Sequence, residues 1–101
     1  MKKTFPLHAP GKADGRVVDA IKADIRRYVR RERGKALPKG ADLWEIDCAV
    51  GLDSTTAVPK PLAEVSQAID AVVSTGADSV YVEVLAKPGV RGAPAPTPSP
   101  S

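Results

Sequence analysis

Aromatic residues are scarce in this chain: one Phe, one Trp and two Tyr among 101 residues. Its core must therefore be mostly Val, Ile, Leu and Ala. A single cysteine, Cys48, excludes an internal disulfide, and the paired cysteines expected of a small secreted domain are missing, which favours a reducing compartment. A single histidine, His8, leaves no His cluster for a metal. No stretch approaches the ~20 apolar residues of a membrane span. The opening MKKTFPLHAPG has two lysines but lacks the apolar run of a signal peptide. The expectation is a soluble cytoplasmic protein with no cofactor. Proline is plentiful, but four of its ten residues stand at 94, 96, 98 and 100. Residues 92–101 thus read as a disordered tail, and residues 1–91 as a single folded domain. A domain that short buries only ~60% of its unfolded surface, so every amphipathic element must serve one core.

Charge is abundant and unevenly placed. Residues 1–35 hold eleven Lys/Arg against four Asp/Glu, a net +7; residues 36–101 hold four against eight, a net −4. The formal +3 of the whole chain conceals a bipolar molecule, a property that bears on partners rather than on fold.

Periodicity divides the chain. Residues 3–8 alternate, with Phe5 and Leu7 on one side, but Pro6 cannot donate to a ladder, so this predicts a short edge strand. Residues 14–33 predict the strongest helix, with Val17, Val18, Ile21, Ile25, Tyr28 and Val29 on one face. Asp14 suits its N-cap and Gly34 its stop. Residues 43–50 alternate, Trp44, Ile46, Cys48 and Val50 opposing Leu43, Glu45, Asp47 and Ala49. Residues 51–60 read as a loop. A second helix follows at 61–75, with Leu62, Val65, Ile69, Val72 and Val73 as its stripe and Gly76 just past its end. In the last strand, 79–87, Val80, Val82, Val84 and Ala86 oppose Tyr81, Glu83, Leu85 and Lys87.

The order β-α-β-α-β predicts an α/β two-layer sandwich: a three-stranded sheet with two helices on one face. Both clear strands have one apolar and one mixed face, whereas a doubly covered parallel strand reads as an unbroken apolar run. Both helices therefore belong on one side. Right-handed crossovers then give strand order 1-2-3 with residues 43–50 central. An antiparallel first strand is the alternative that the sequence leaves open.

The segments KKTFPL, RRYVRRERGKALPKGADLWEIDC and SVYVEVLAKPG resemble a family of short bacterial proteins known only as a domain of unknown function. The resemblance covers residues 1–91, and VYVEVLAKPG is its most specific part. It implies a bacterial cytoplasmic protein and carries no activity, cofactor or catalytic residue. The tail from Gly92 reads as an extension particular to this chain.

The most informative chemistry lies on the first helix. Lys22, Arg26, Arg30 and Arg33 fall together beside the apolar stripe, with Arg16 and Arg27 near them and Arg31 at the opposite edge. Six or seven cations on ~30 Å of helix form the electrostatic footprint of phosphate contact. Arginine dominates, and its planar fork holds phosphate or carboxylate bidentately. The competing reading is a solvated face that complements the acidic part of a neighbouring copy. No named nucleic-acid module fits. A helix-turn-helix needs a helix just before the recognition helix. An RRM needs aromatics on its open sheet face, where only Tyr81 stands, among Glu45, Asp47 and Glu83. Those acids read as solvent-facing charges rather than a metal site.

A second candidate is an anion pocket at the carboxyl ends of parallel strands, with His8, Lys12, Ser54, Thr55, Lys87 and Arg91 converging beside Asp53 and Thr56. The Gly11–Lys12 pair lacks the upstream Gly and the following Ser/Thr of a phosphate loop. Adjacent Asp53 and Ser54 cannot flank one imidazole as a triad requires. Cys48, between Ile46 and Val50, reads as a buried core thiol.

The leading expectation is a non-enzymatic polyanion binder, for RNA or DNA phosphates, using Lys22, Arg26, Arg27, Arg30 and Arg33 of helix 14–33. The alternative is a protein-interaction or homo-oligomer module, because Leu43, Ala49, Tyr81 and Leu85 leave the second sheet face partly apolar. An enzyme acting on a small anion at the strand ends ranks last.

Overall fold

In the computed structural model, which describes residues 1–90, the chain runs β1 (Lys2–Pro6), α1 (Asp14–Arg33), β2 (Leu43–Gly51), β3 (Val58–Lys60), a 3₁₀ turn (Leu62–Glu64), α2 (Val65–Ser74) and β4 (Ser79–Gly89). Arg91 and the proline-rich segment 92–101 lie outside the described residues. The expected two layers are present, with both helices on one face of a sheet. The expected sheet is not. It has four strands in the order β1-β4-β2-β3, each antiparallel to its neighbours.

Two physical facts account for the correction. Strands with one apolar and one polar face suit antiparallel ladders, and here β4 inserts between β1 and β2 instead of extending the sheet beyond β2. Residues 43–50 are indeed interior, but β4 shares the centre with them. β1 and β2 thus run parallel with β4 between them, and β3 and β4 run parallel with β2 between them. The second fact is β3 itself, inside the stretch read as a loop. It has three residues, too few to show a period, and Pro59 sits in it opposite Ala49. Proline is tolerated there because β3 is an edge strand.

Register sorts the faces. Phe5↔Val80, Cys48↔Val84 and Val50↔Val82 are paired, and all six side chains are buried under the helices. Val80, Val82 and Val84 form the most enclosed row of the sheet. From above come Val17, Val18, Ile21, Ile25 and Val29 of α1, and Val65 and Ile69 of α2. Each such side chain contributes about 1.5–3 kcal/mol by leaving water. The opposite face carries Glu45↔Lys87, Asp47↔Leu85 and Ala49↔Glu83 and stays open.

The helix ends differ from expectation in detail. Ala13, not Asp14, occupies the α1 N-cap, with no side-chain cap bond; Asp14 is the first helical residue. Gly34 ends α1 in the ordinary right-handed region, its N–H donating to the carbonyls of Arg30 and Arg31. Gly76, after α2, has φ +79°, the left-handed turn for which glycine is suited.

Candidate functional site

The cationic edge of α1 borders an open groove. Lys22, Arg26, Arg30 and Arg33 recur at helical spacing just outside the buried stripe, and α2 lies across a cleft from them. Between the two helices lies a cleft of about 490 Å³. Ile25 and Val29 of α1 and Val65 and Ile69 of α2 form its floor, with Leu62 and Ser66 on the wall opposite the arginines.

The cations are not equivalent. Lys22 Nζ donates to Asp70 Oδ1 at 2.7 Å, and only 17% of the Lys22 side chain is exposed. It ties α1 to α2 beside the groove. Arg27 points elsewhere: it pairs with Asp24 one turn earlier and does not line the groove. Arg31 lies over the Tyr28 ring, 5.3 Å from its centroid. Arg26, Arg30 and Arg33 are exposed, and among the described residues none makes an ion pair. Of the five residues singled out from sequence, three form the free row.

A small carboxylate network lies under the C-terminal end of α1. Lys35 Nζ stands 2.6 Å from Glu32, and the Tyr28 hydroxyl donates to Glu32 at 3.3 Å. Lys35 above all, with Tyr28 and Arg31, holds the Glu32 carboxyl below its usual range. The backbone nitrogen of Met1 donates to the Val84 carbonyl and to the Tyr28 hydroxyl, so β1, β4 and α1 meet there.

The strand-end residues do not converge. Because β4 runs opposite to β1 and β2, its carboxyl end lies at the far side of the sheet. Gly51, at the end of β2, pairs with Tyr81, while Lys87 pairs with Glu45 near the start of β2. Six residues of strand separate the two positions, about 20 Å. Lys87 instead meets Asp47 at 2.8 Å, and that hydrogen bond, with the charges of Asp47 and Glu45, lifts its pKa. At the other end, His8 Nδ1 is 3.0 Å from Asp14 Oδ1 and Nε2 is 3.6 Å from Asp78 Oδ1. The hydrogen bond and charge of Asp14, then the charge of Asp78, raise the imidazole pKa. Lys12 lies in the loop between β1 and α1, where its N–H donates to the Ala9 carbonyl. Ser54 and Thr55 belong to the β2–β3 turn. There Asp53 Oδ1 accepts from the N–H and hydroxyl groups of Thr55 and Thr56, which holds its carboxyl low. These hydroxyls build a turn rather than face a ligand.

The open sheet face is a paired surface. Lys87 answers Asp47, and Lys2 stands 3.6 Å from Glu83. Tyr81 faces this side, yet only 8% of it is exposed. Burial, then the charge of Glu83, pushes its phenol pKa up. Its ring is therefore no stacking platform. Leu85, 45% exposed, is the apolar feature of this face and overlooks a shallow depression of about 410 Å³ beside Ala49 and Pro59. Cys48 is buried, and burial with the charge of Asp47 raises its thiol pKa. Among the described residues, no group of three or more His, Cys, Asp or Glu could hold a metal ion, and no helix is long and apolar enough to cross a membrane.

What sequence reasoning missed is the groove. Its far wall comes from α2, about forty residues on, and the Lys22–Asp70 tie has no local signal. The one hint is that Lys22, Arg26 and Arg33 border the apolar stripe directly, where a helix packed alongside must meet them.

Compared with known proteins, the chain matches a family described as "Family of unknown function (DUF6172)" over residues 1–95, and it belongs to that family. The match runs past residue 91, where the resemblance read from sequence ended. No curated protein and no solved structure matches the chain.

Proposed function

We propose that this DUF6172 protein is a non-enzymatic binder of polyanions, RNA or DNA phosphates, through the α1 edge bearing Arg26, Arg30 and Arg33. One observation carries this: three exposed guanidinium groups in a row, with no carboxylate paired to them among the described residues. From Arg26 to Arg33 is about 10 Å of helix axis, comparable to about three successive phosphates of one strand. Contacts of this kind address the backbone, so binding is nearly indifferent to sequence.

The test is a titration against mixed-sequence RNA and DNA at several salt concentrations. Three contacts give a logarithmic salt slope of about −2 on single strands and nearly −3 on duplex DNA. Failure to bind either nucleic acid at low salt overturns the proposal and leaves a solvated basic face.

A second reading rests on Leu85. Its exposure, on a face that carries both signs of charge, supports a weak homodimer through the open sheet, in which Lys2, Glu83, Asp47 and Lys87 exchange partners across a two-fold axis. Sedimentation at high concentration distinguishes a dimer from a strict monomer.

A further inference from the structure

We infer that the groove between α1 and α2 binds a single-chain amphipathic anion: a carboxylate or phosphate monoester on a linear hydrocarbon chain. The inference goes beyond polyanion binding, although it shares the same arginines. Phosphates need only exposed cations. Here the cations border a cleft with an aliphatic floor, which a nucleic-acid backbone does not use and which offers bases no aromatic surface.

Size and charge define the occupant. A volume of about 490 Å³ falls within the range of small-molecule sites, which are largely apolar with a few placed polar groups. From Lys22 to Arg33 the groove follows about 16 Å of α1. The Lys22–Asp70 pair neutralises the charge at one end. The free positive charge therefore sits along the rim and toward Arg33, at the end beside Leu62. An anionic head belongs on Arg26, Arg30 and Arg33, where guanidinium forks hold carboxylate or phosphate oxygens. Its chain then lies along the cleft toward Lys22, against half-buried Leu62 and the apolar stems of the arginines, above the almost wholly buried Ile25, Val29, Val65 and Ile69.

The probes are dodecanoate and dodecyl phosphate, each below its aggregation concentration, with dodecyltrimethylammonium as the control and titration calorimetry as the readout. Both anions should bind one per chain, and the cation should not. Affinity should rise from octanoate to dodecanoate by up to about fourfold per methylene. Ser66→Trp fills the groove from an exposed position and should weaken dodecanoate binding about tenfold or more, while nucleic-acid binding stays within about twofold. Arg30→Glu should weaken both. The inference is overturned if the monomeric anions do not bind. It is equally overturned if affinity is flat with chain length, if Ser66→Trp binds dodecanoate as the natural protein does, or if only anionic vesicles or an acidic amphipathic peptide bind. A protein that takes dodecanoate but no nucleic acid sinks the polyanion proposal alone; the reverse result sinks this one alone.

Discussion

The two charged surfaces of this molecule differ in what their charges are free to do. On the open sheet face the acids have local partners: Asp47 has Lys87, Glu83 has Lys2, and Glu45 stands opposite Lys87 in the ladder. On the groove edge of α1, the tie between Lys22 and Asp70 leaves Arg26, Arg30 and Arg33 without an ion pair among the described residues. Both surfaces are densely charged in the sequence. Only one keeps charge of a single sign available after folding, and a long-range field depends on the unpaired part.

The steepest loss of stability should come from beneath the groove. Ile69 is fully buried where α2 meets the sheet and floors the groove. Ile69→Ala should cost about 2–5 kcal/mol in urea unfolding. Leu85→Ser, on the open sheet face, should stay within about 0.5 kcal/mol. Equal losses at the two positions would mean that the open face is covered in solution.

The next test separates free from paired charge. Arg26→Glu with Arg30→Glu should remove about 1.8 from the logarithmic salt slope on duplex DNA, and thermal unfolding should hardly change because both residues are exposed. Glu45→Gln on the sheet should leave nucleic-acid binding unaltered. A double mutant that binds like the natural protein would move the site off α1.

A finer test concerns the ion pairs themselves. A double-mutant cycle on Lys22 and Asp70 should give a coupling near the upper part of about 0.2–1 kcal/mol, since Lys22 is largely enclosed. The same cycle on Lys2 and Glu83, longer and more exposed, should give less. A larger coupling on the sheet would reverse the ranking of the two surfaces.

The smallest effect is a titration. The His8 imidazole should titrate above 6.5 in the folded protein because Asp14 favours its charged form, and Asp14→Asn should bring it down, as read by NMR. A raised folded pKa means that the His8–Asp14 pair stabilises below the unfolded pKa near 6.5. That contribution is lost as pH rises through the folded value. A pKa unmoved by Asp14→Asn would contradict the geometry.

Much of the fold was legible because periodicity is local. The 3.6-residue recurrence of Val18, Ile21, Ile25 and Val29 marked α1 and its buried face. The alternation of Trp44 to Val50 and of Val80 to Ala86 marked β2 and β4 and set the acids on the open side. Val58–Lys60 was not legible, because three residues with a central proline carry no period. Tyr81 misled for a related reason: alternation assigns a face, and its burial on that face could not be read from position alone.

Local pattern in the chain is enough for β1, α1, β2, α2 and β4, for the side each turns to the core and for the concentration of arginine along one edge of α1, but not for β3. The tertiary structure decided which strands are neighbours. By inserting β4 antiparallel between β1 and β2, it sent Lys87 to the end opposite His8 and Ser54 and dissolved the pocket that parallel strands would have formed. It also decided which cations are free, because Asp70 reaches Lys22 from a helix about fifty residues away. Backbone periodicity is written in neighbouring residues, whereas strand order, ion-pair partners and the space between two helices depend on residues brought together only when the chain closes on itself.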